Sequence, residues 1–177
     1  MIKVLVLGGT GATGKHVINE LRSIEDVAKI KMITRREVEL PEGPGLEKVE
    51  QVLVDFDNLD KSKADFSEVD VAFCCLGTTR GQAGKEGFVK VEYDYVVNSA
   101  KMLKDAKCKD FHLISSTGAK TSSWFLYPST KGKAEDAVKA MEFSRVSIYR
   151  PAFLIAEREQ PKMLDGVGKS LAKMFDR

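Results

Sequence analysis

Short apolar runs alternate with longer amphipathic stretches along this chain. Residues 2–7 read IKVLVL and stop at a glycine, which predicts a strand buried on both faces. From Gly14 to residue 24, Val17, Ile18 and Leu21 fall on one face of a helix. Residues 28–34 (AKIKMIT) alternate apolar with polar positions, the pattern of a less buried parallel strand. A loop containing Pro41, Gly43, Pro44 and Gly45 follows, then a third strand over 49–54 and a polar stretch with room for a short helix over 55–65. Residues 69–75 (VDVAFCC) predict a fourth strand.

The second half continues the alternation. Residues 77–87 hold four glycines and read as a functional loop rather than an element. Phe88, Val91, Tyr95, Val96, Ala100 and Leu103 then mark a helix over about 86–107. Residues 111–115 (FHLIS) predict a fifth strand, 130–141 a helix, and 146–149 a sixth strand ended by Arg150-Pro151. Parallel neighbours need crossover helices, so this order predicts an α/β doubly wound parallel sheet, a three-layer α/β/α Rossmann fold. The expected organisation is a single domain over 1–177, with 151–177 a short substrate-side lobe. The Rossmann strand order is the default expectation once the first turn is taken into account.

That turn is Gly8-Gly9-Thr10-Gly11-Ala12-Thr13-Gly14, between the first strand and the first helix. Glycine at 8 permits a tight turn, at 11 it lets main-chain N–H groups approach a pyrophosphate, and at 14 it allows helix and strand to pack closely. A helix N-terminus carries about half a positive charge and unpaired N–H donors, which favours an anion there. Thr10 and Thr13 add hydroxyl donors. A dinucleotide is therefore the expected ligand. At the end of the second strand, where an NAD-binding chain usually places a carboxylate, this one has Arg35-Arg36. Guanidinium groups match a 2′-phosphate, so NADP(H) is favoured over NAD(H). Asp55 after the third strand is placed to touch adenine, and Leu76-Gly77 after the fourth to approach the adenosine ribose.

Ser115 and Ser116 end the fifth strand, and Tyr127 and Lys131 follow four residues apart. On a helix that spacing shares a face, and an ammonium beside a phenol favours the phenolate over its ordinary value of about 10. Such a phenol can exchange a proton with a carbonyl oxygen while a hydride moves to or from nicotinamide. A serine hydroxyl nearby would orient the substrate oxygen. The segment from Pro151 to Leu154 is placed to lie beside the nicotinamide.

Composition narrows the classes. With 43% hydrophobic and 31% charged residues the chain is ordinary for a globular protein. Its 28 Lys and Arg against 26 Asp and Glu leave a net charge of +2, too even for a general nucleic-acid binder. No apolar run is long enough to span a bilayer, and the N-terminus shows no secretory pattern. The three cysteines, Cys74, Cys75 and Cys108, have no metal-ligand spacing with His16 or His112, and are expected to be free thiols in a reducing compartment. The glycine turn lacks a P-loop ending and the chain has no kinase catalytic loop, which rejects phosphate transfer.

These residues resemble the short-chain dehydrogenase/reductase superfamily, specifically its atypical Tat-interacting oxidoreductase family. The most specific stretch is Phe73-Cys74-Cys75-Leu76-Gly77-Thr78-Thr79-Arg80-Gly81, continuing to Ala83-Gly84 and Glu86-Gly87-Phe88. Val54-Asp55-Phe56, Ser115-Ser116, Ser122-Ser123, Phe125-Leu126-Tyr127, Lys131-Gly132 and Arg150-Pro151 support it, so the likeness runs from the first strand to about residue 160. The resemblance implies a Rossmann domain that binds NADPH through the glycine turn, Arg35, Arg36, Leu76, Gly77, Tyr127, Lys131 and the loop around Leu154, with Tyr127 as proton donor or acceptor. It further implies two functions to weigh. One is an NADPH-dependent reductase of a small carbonyl substrate. The other is a redox sensor whose NADPH occupancy controls protein partners such as nuclear import receptors in growth or apoptosis. The expected location is cytoplasmic, with the nucleus as a second site. Relatives in this family usually continue further at the C-terminus, so a truncated substrate-side lobe is expected.

Overall fold

The computed structural model describes residues 1–152. Six parallel strands, β1 (Ile2–Leu7), β2 (Val27–Thr34), β3 (Val49–Leu53), β4 (Val71–Cys74), β5 (Asp110–Ile114) and β6 (Arg145–Tyr149), form one sheet in the order β3-β2-β1-β4-β5-β6. Order reverses between β1 and β4, the switch point outside which doubly wound sheets bind their ligands. Four helices accompany it: α1 (Ala12–Ser23), α2 (Arg80–Val89), α3 (Tyr95–Asp105) and α4 (Leu126–Lys139). A π-helical turn over Lys90–Asp94 joins α2 to α3, and a 3₁₀ segment over Leu59–Phe66 precedes β4.

The sheet divides the core in two, as the period of a strand requires. Val4 and Val6 of β1 point to one side, where they pack with Ile18 and Leu21 of α1 and Ile30 and Met32 of β2. Leu5 and Leu7 point to the other, where Ala72, Val96, Ala100, Leu103, Phe111, Leu113 and Val138 make the larger cluster. This is the three-layer arrangement expected from the sequence.

Three expectations are revised. The second strand is more buried than its alternation suggests: Ile30, Met32 and Ile33 are fully buried, and β2 lies between β1 and β3. Its lysines reach outward to partners, Lys29 to Glu50 at 2.9 Å and Lys31 to the Asp65 and Ser67 carbonyls at 3.1 Å. Residues 77–87 are not simply a loop. Thr79 caps α2 by accepting from the Gln82 N–H, and the helix breaks only at Gly84, whose φ of 69° interrupts it. Finally, α4 begins at Leu126, ahead of the expected residue 130, because Pro128 falls in its first turn where an N–H is not needed. That earlier start puts Tyr127 and Lys131 on one helix.

Candidate dinucleotide and proton-transfer site

Gly8 leaves β1 with φ 75°, and a Cβ there would stand 2.7 Å from the Cys75 carbonyl group. A Cβ at Gly14 would overlap the Gly8 carbonyl. Both positions therefore exclude side chains to let the turn fold over the end of β4. A Cβ at Gly11 would meet only the Gly8 carbonyl oxygen at 3.3 Å, so the fold itself tolerates more there. The Gly11 N–H donates to the Gly8 carbonyl at 3.0 Å, closing the turn. Gly9 is buried against Ile18 and Met32, while Thr10 is exposed and Ala12 and Thr13 are half-buried. α1 starts with no side-chain cap and no acidic residue in its first turn. Its N-terminal N–H groups are thus left for an external acceptor, and no carboxylate repels an anion.

Beyond β2, the Thr34 hydroxyl donates to the Arg36 carbonyl at 2.7 Å and turns the chain so that Arg35 and Arg36 are both exposed. Arg35 lines an open cleft of about 460 Å³ with Asp55, Phe56, Asp57 and Tyr95. Asp55 accepts from the Asp57 N–H at 2.9 Å and from Asn58 Nδ2 at 2.6 Å, and these bonds hold its carboxyl below the usual carboxylate range. Asp57 is lowered in the same way by Lys90 and by the Tyr95 hydroxyl, which donates at 2.8 Å. The glycine turn, the arginines and this cleft fit the pyrophosphate, ribose and adenine of a dinucleotide.

On the other side of the switch point the groups are buried charges. Lys131 is 6% exposed, and its Nζ lies 2.6 Å from Glu92 Oε2 and 3.3 Å from the Ile114 carbonyl oxygen. Glu92, 2% exposed in the π-helical turn, accepts through Oε1 from the Thr78 N–H at 2.7 Å. A Cβ at Gly77 would be 3.4 Å from that same oxygen. Contacts therefore run without interruption from Gly8 through Cys75–Leu76, Gly77–Thr78 and Glu92 to Lys131. Tyr127 is 44% exposed and rests its ring against Phe88, centroids 5.6 Å apart.

The two serines part company. Ser115 donates to Glu135 Oε1 at 2.5 Å, and that carboxylate, 1% exposed, is gripped by Arg150 Nε at 2.9 Å and by Arg150 Nη2. Burial opposes ionisation of Glu135, but Arg150 and Ser115 outweigh it and hold the group below the ordinary value. Ser116 is 8% exposed and its Oγ has no hydrogen-bond partner among the described residues. Leu154 lies outside the described residues, as does most of the 151–177 lobe. Pro151 is described, and its carbonyl accepts from the Thr117 N–H at 3.0 Å.

Glu92, Glu135 and Arg150 were not among the residues singled out from sequence. A signal for Glu92 exists: it stands four residues after Phe88 and four before Val96, a carboxylate inside an otherwise apolar stripe. Burial raises the Cys74 and Cys75 thiols to about 12 and Cys108 to about 11. Among the described residues no His, Cys, Asp and Glu group could hold a metal ion, and no helix is long and apolar enough to cross a membrane.

Known proteins match this geometry. A profile described as NAD(P)H-binding covers residues 8–174. Protein HTATIP2 of Rattus norvegicus is 41% identical over 97% of this chain and 69% of its own length. The mitochondrial protein fmp52 of Aspergillus niger is 36% identical over 100% of this chain and 77% of its own length. Among solved structures, the Bordetella bronchiseptica enzyme WbmH in complex with NAD+ superposes with a TM-score of 0.77 at 15% identity, over 98% of this chain and 64% of that one. That likeness concerns the fold, and this chain spans less than two-thirds of that enzyme. The expected cytoplasmic and nuclear location does not stand, because the fungal relatives are named as mitochondrial proteins. The chain belongs to the NAD(P)H-binding family of HTATIP2 and FMP52, the Tat-interacting family that its sequence resembles.

Proposed function

We propose that this chain is an NADP(H)-dependent oxidoreductase that reduces a small carbonyl compound, with Tyr127 as the proton donor. The observation that carries the reading is the buried Lys131, one helical turn from a half-exposed Tyr127 and linked by contacts to the glycine turn. Burying an ammonium is costly, and the Glu92 carboxylate that offsets the cost fixes Lys131 on the same helix as Tyr127, one turn away. Bound reduced nicotinamide supplies the hydride that goes to the carbonyl carbon. Tyr127 gives its phenolic proton to the carbonyl oxygen as the alcohol forms, and takes one back from solvent. Ser116, whose hydroxyl has no partner among the described residues, is better suited than Ser115 to orient the substrate oxygen, because Ser115 is committed to Glu135. Arg35 and Arg36 favour NADP(H) by meeting the 2′-phosphate.

The second reading, a sensor whose NADPH occupancy controls protein partners, would signal through the bound dinucleotide rather than through the described cysteines. Thiols raised to about 11–12 carry almost no thiolate near neutral pH, and thiolate is the reactive form.

The test is NADPH consumption against a panel of small aldehydes and ketones, with Tyr127→Phe beside the wild type. Turnover of at least one substrate, cut about a hundredfold or more in the variant while NADPH affinity stays within a few-fold, is the expected result. Equal turnover by the two proteins removes Tyr127 from the chemistry. No turnover by a wild type that binds NADPH removes the reductase reading.

A further inference from the structure

Glu92 has no part in the set of residues that the sequence singles out, yet at 2% exposed it is, with Glu135, among the most enclosed charges near the site. Its two oxygens have different partners from different elements: Oε1 takes the Thr78 N–H of the segment leaving β4, and Oε2 faces Lys131 of α4. It sits in a π-helical turn, where one extra residue per turn shifts a side chain out of the regular helical register. An apolar residue would fill the stripe between Phe88 and Val96 at lower desolvation cost, so the carboxylate must serve its partners.

We propose that Glu92 is a positioning residue whose buried carboxylate pairs with the Lys131 ammonium and ties it to the Leu76–Gly77–Thr78 segment, so that the dinucleotide contacts and the proton-transfer group are set together. This rests on the reading of Lys131 as a dinucleotide and proton-transfer residue. The other groups around the pair do not take over the role. The Cys74 thiol of β4, near both charges, is neutral because burial raises it to about 12. Glu135, one turn along α4, is held by Arg150 from the end of β6 and by Ser115 from the end of β5. Tyr95 of α3 donates its hydroxyl to Asp57. Among the described residues, Glu92 is therefore the carboxylate paired with Lys131.

An ammonium buried without its carboxylate gives up its proton more readily. Glu92→Gln keeps an acceptor for the Thr78 N–H but removes the charge. NADPH affinity is measured by calorimetry between about pH 6 and 9.5, a range that brackets such a loss. The wild type is expected to give a shallow profile. Glu92→Gln is expected to bind within a few-fold of wild type at the acid end and to lose about tenfold or more toward the alkaline end. Lys131→Met and the double variant Glu92→Gln with Lys131→Met should bind weakly and share one flat profile. A Glu92→Gln profile parallel to that of the wild type overturns the proposal and leaves Glu92 a structural residue. If Glu92→Gln fails to fold, Glu92→Met, which also removes the charge at similar side-chain length, carries the same comparison, and a profile parallel to the wild type again overturns it. A wild type that binds no NADPH at any pH defeats the dinucleotide reading instead.

Discussion

The turn between β1 and α1 works through atoms every residue possesses, whereas the region joining the π-helical turn to α4 works through carboxylates that only the fold brings to their partners. In the first, Gly8 and Gly14 matter for what they lack, and α1 offers bare main-chain N–H groups. In the second, Glu92 and Glu135 are buried and each holds a cation and another donor. A site built from main chain fails by overlap; one built from buried charge fails by losing a counter-charge. The two halves should therefore respond to different substitutions and conditions.

The largest effect belongs to the main-chain half. Gly14→Ala drives a methyl group into the Gly8 carbonyl and should weaken NADPH by about a hundredfold or more, with a stability loss of about 1–3 kcal/mol in a thermal melt. Next comes the specificity of that half. Arg35→Ala with Arg36→Ala should weaken NADPH about 10–100-fold and NADH by no more than a few-fold, since charge-assisted bonds to the extra phosphate are lost. Equal losses for the two dinucleotides would mean the arginines face solvent alone.

The buried-charge half predicts an acid-limb effect. Glu135 ionises below its unfolded value near 4.5, so its contribution is present above that pH and fades as pH falls through the folded value. Arg150→Met leaves burial opposed only by Ser115 and by Lys139, 3.9 Å away, among the described residues. It should lower stability near neutral pH and move acid unfolding to higher pH. An unchanged acid midpoint would show that the guanidinium, half-exposed as it is, adds little. The smallest effect sharpens the contrast: Gly11→Ala should alter the melting temperature little, within about 0.5 kcal/mol of stability, while still weakening NADPH.

The same division explains what could be read from the sequence. The strands were legible because a buried parallel strand is a nearly continuous apolar run, as in IKVLVL, and the first turn because its glycine spacing has a steric cause. Tyr127 and Lys131 were legible as a helical pair. The start of α4 was not, because Pro128 looks like a breaker until its place in the first turn is known. The glycines of 77–87 likewise concealed α2, whose start depends on the Thr79 cap. Glu92 and Glu135 were missed because a carboxylate on a helix reads as solvent-facing, and only tertiary contact shows that its partners lie on other elements. For the same reason the sequence left Ser115 and Ser116 equivalent.

Calorimetric titration of the folded wild type with NADPH and NADH in parallel decides whether the glycine turn and the two arginines hold a dinucleotide. One saturable site per chain is expected for both, with NADPH at least about tenfold the tighter. No heat of association with either dinucleotide, on properly folded protein across millimolar concentrations, would contradict it.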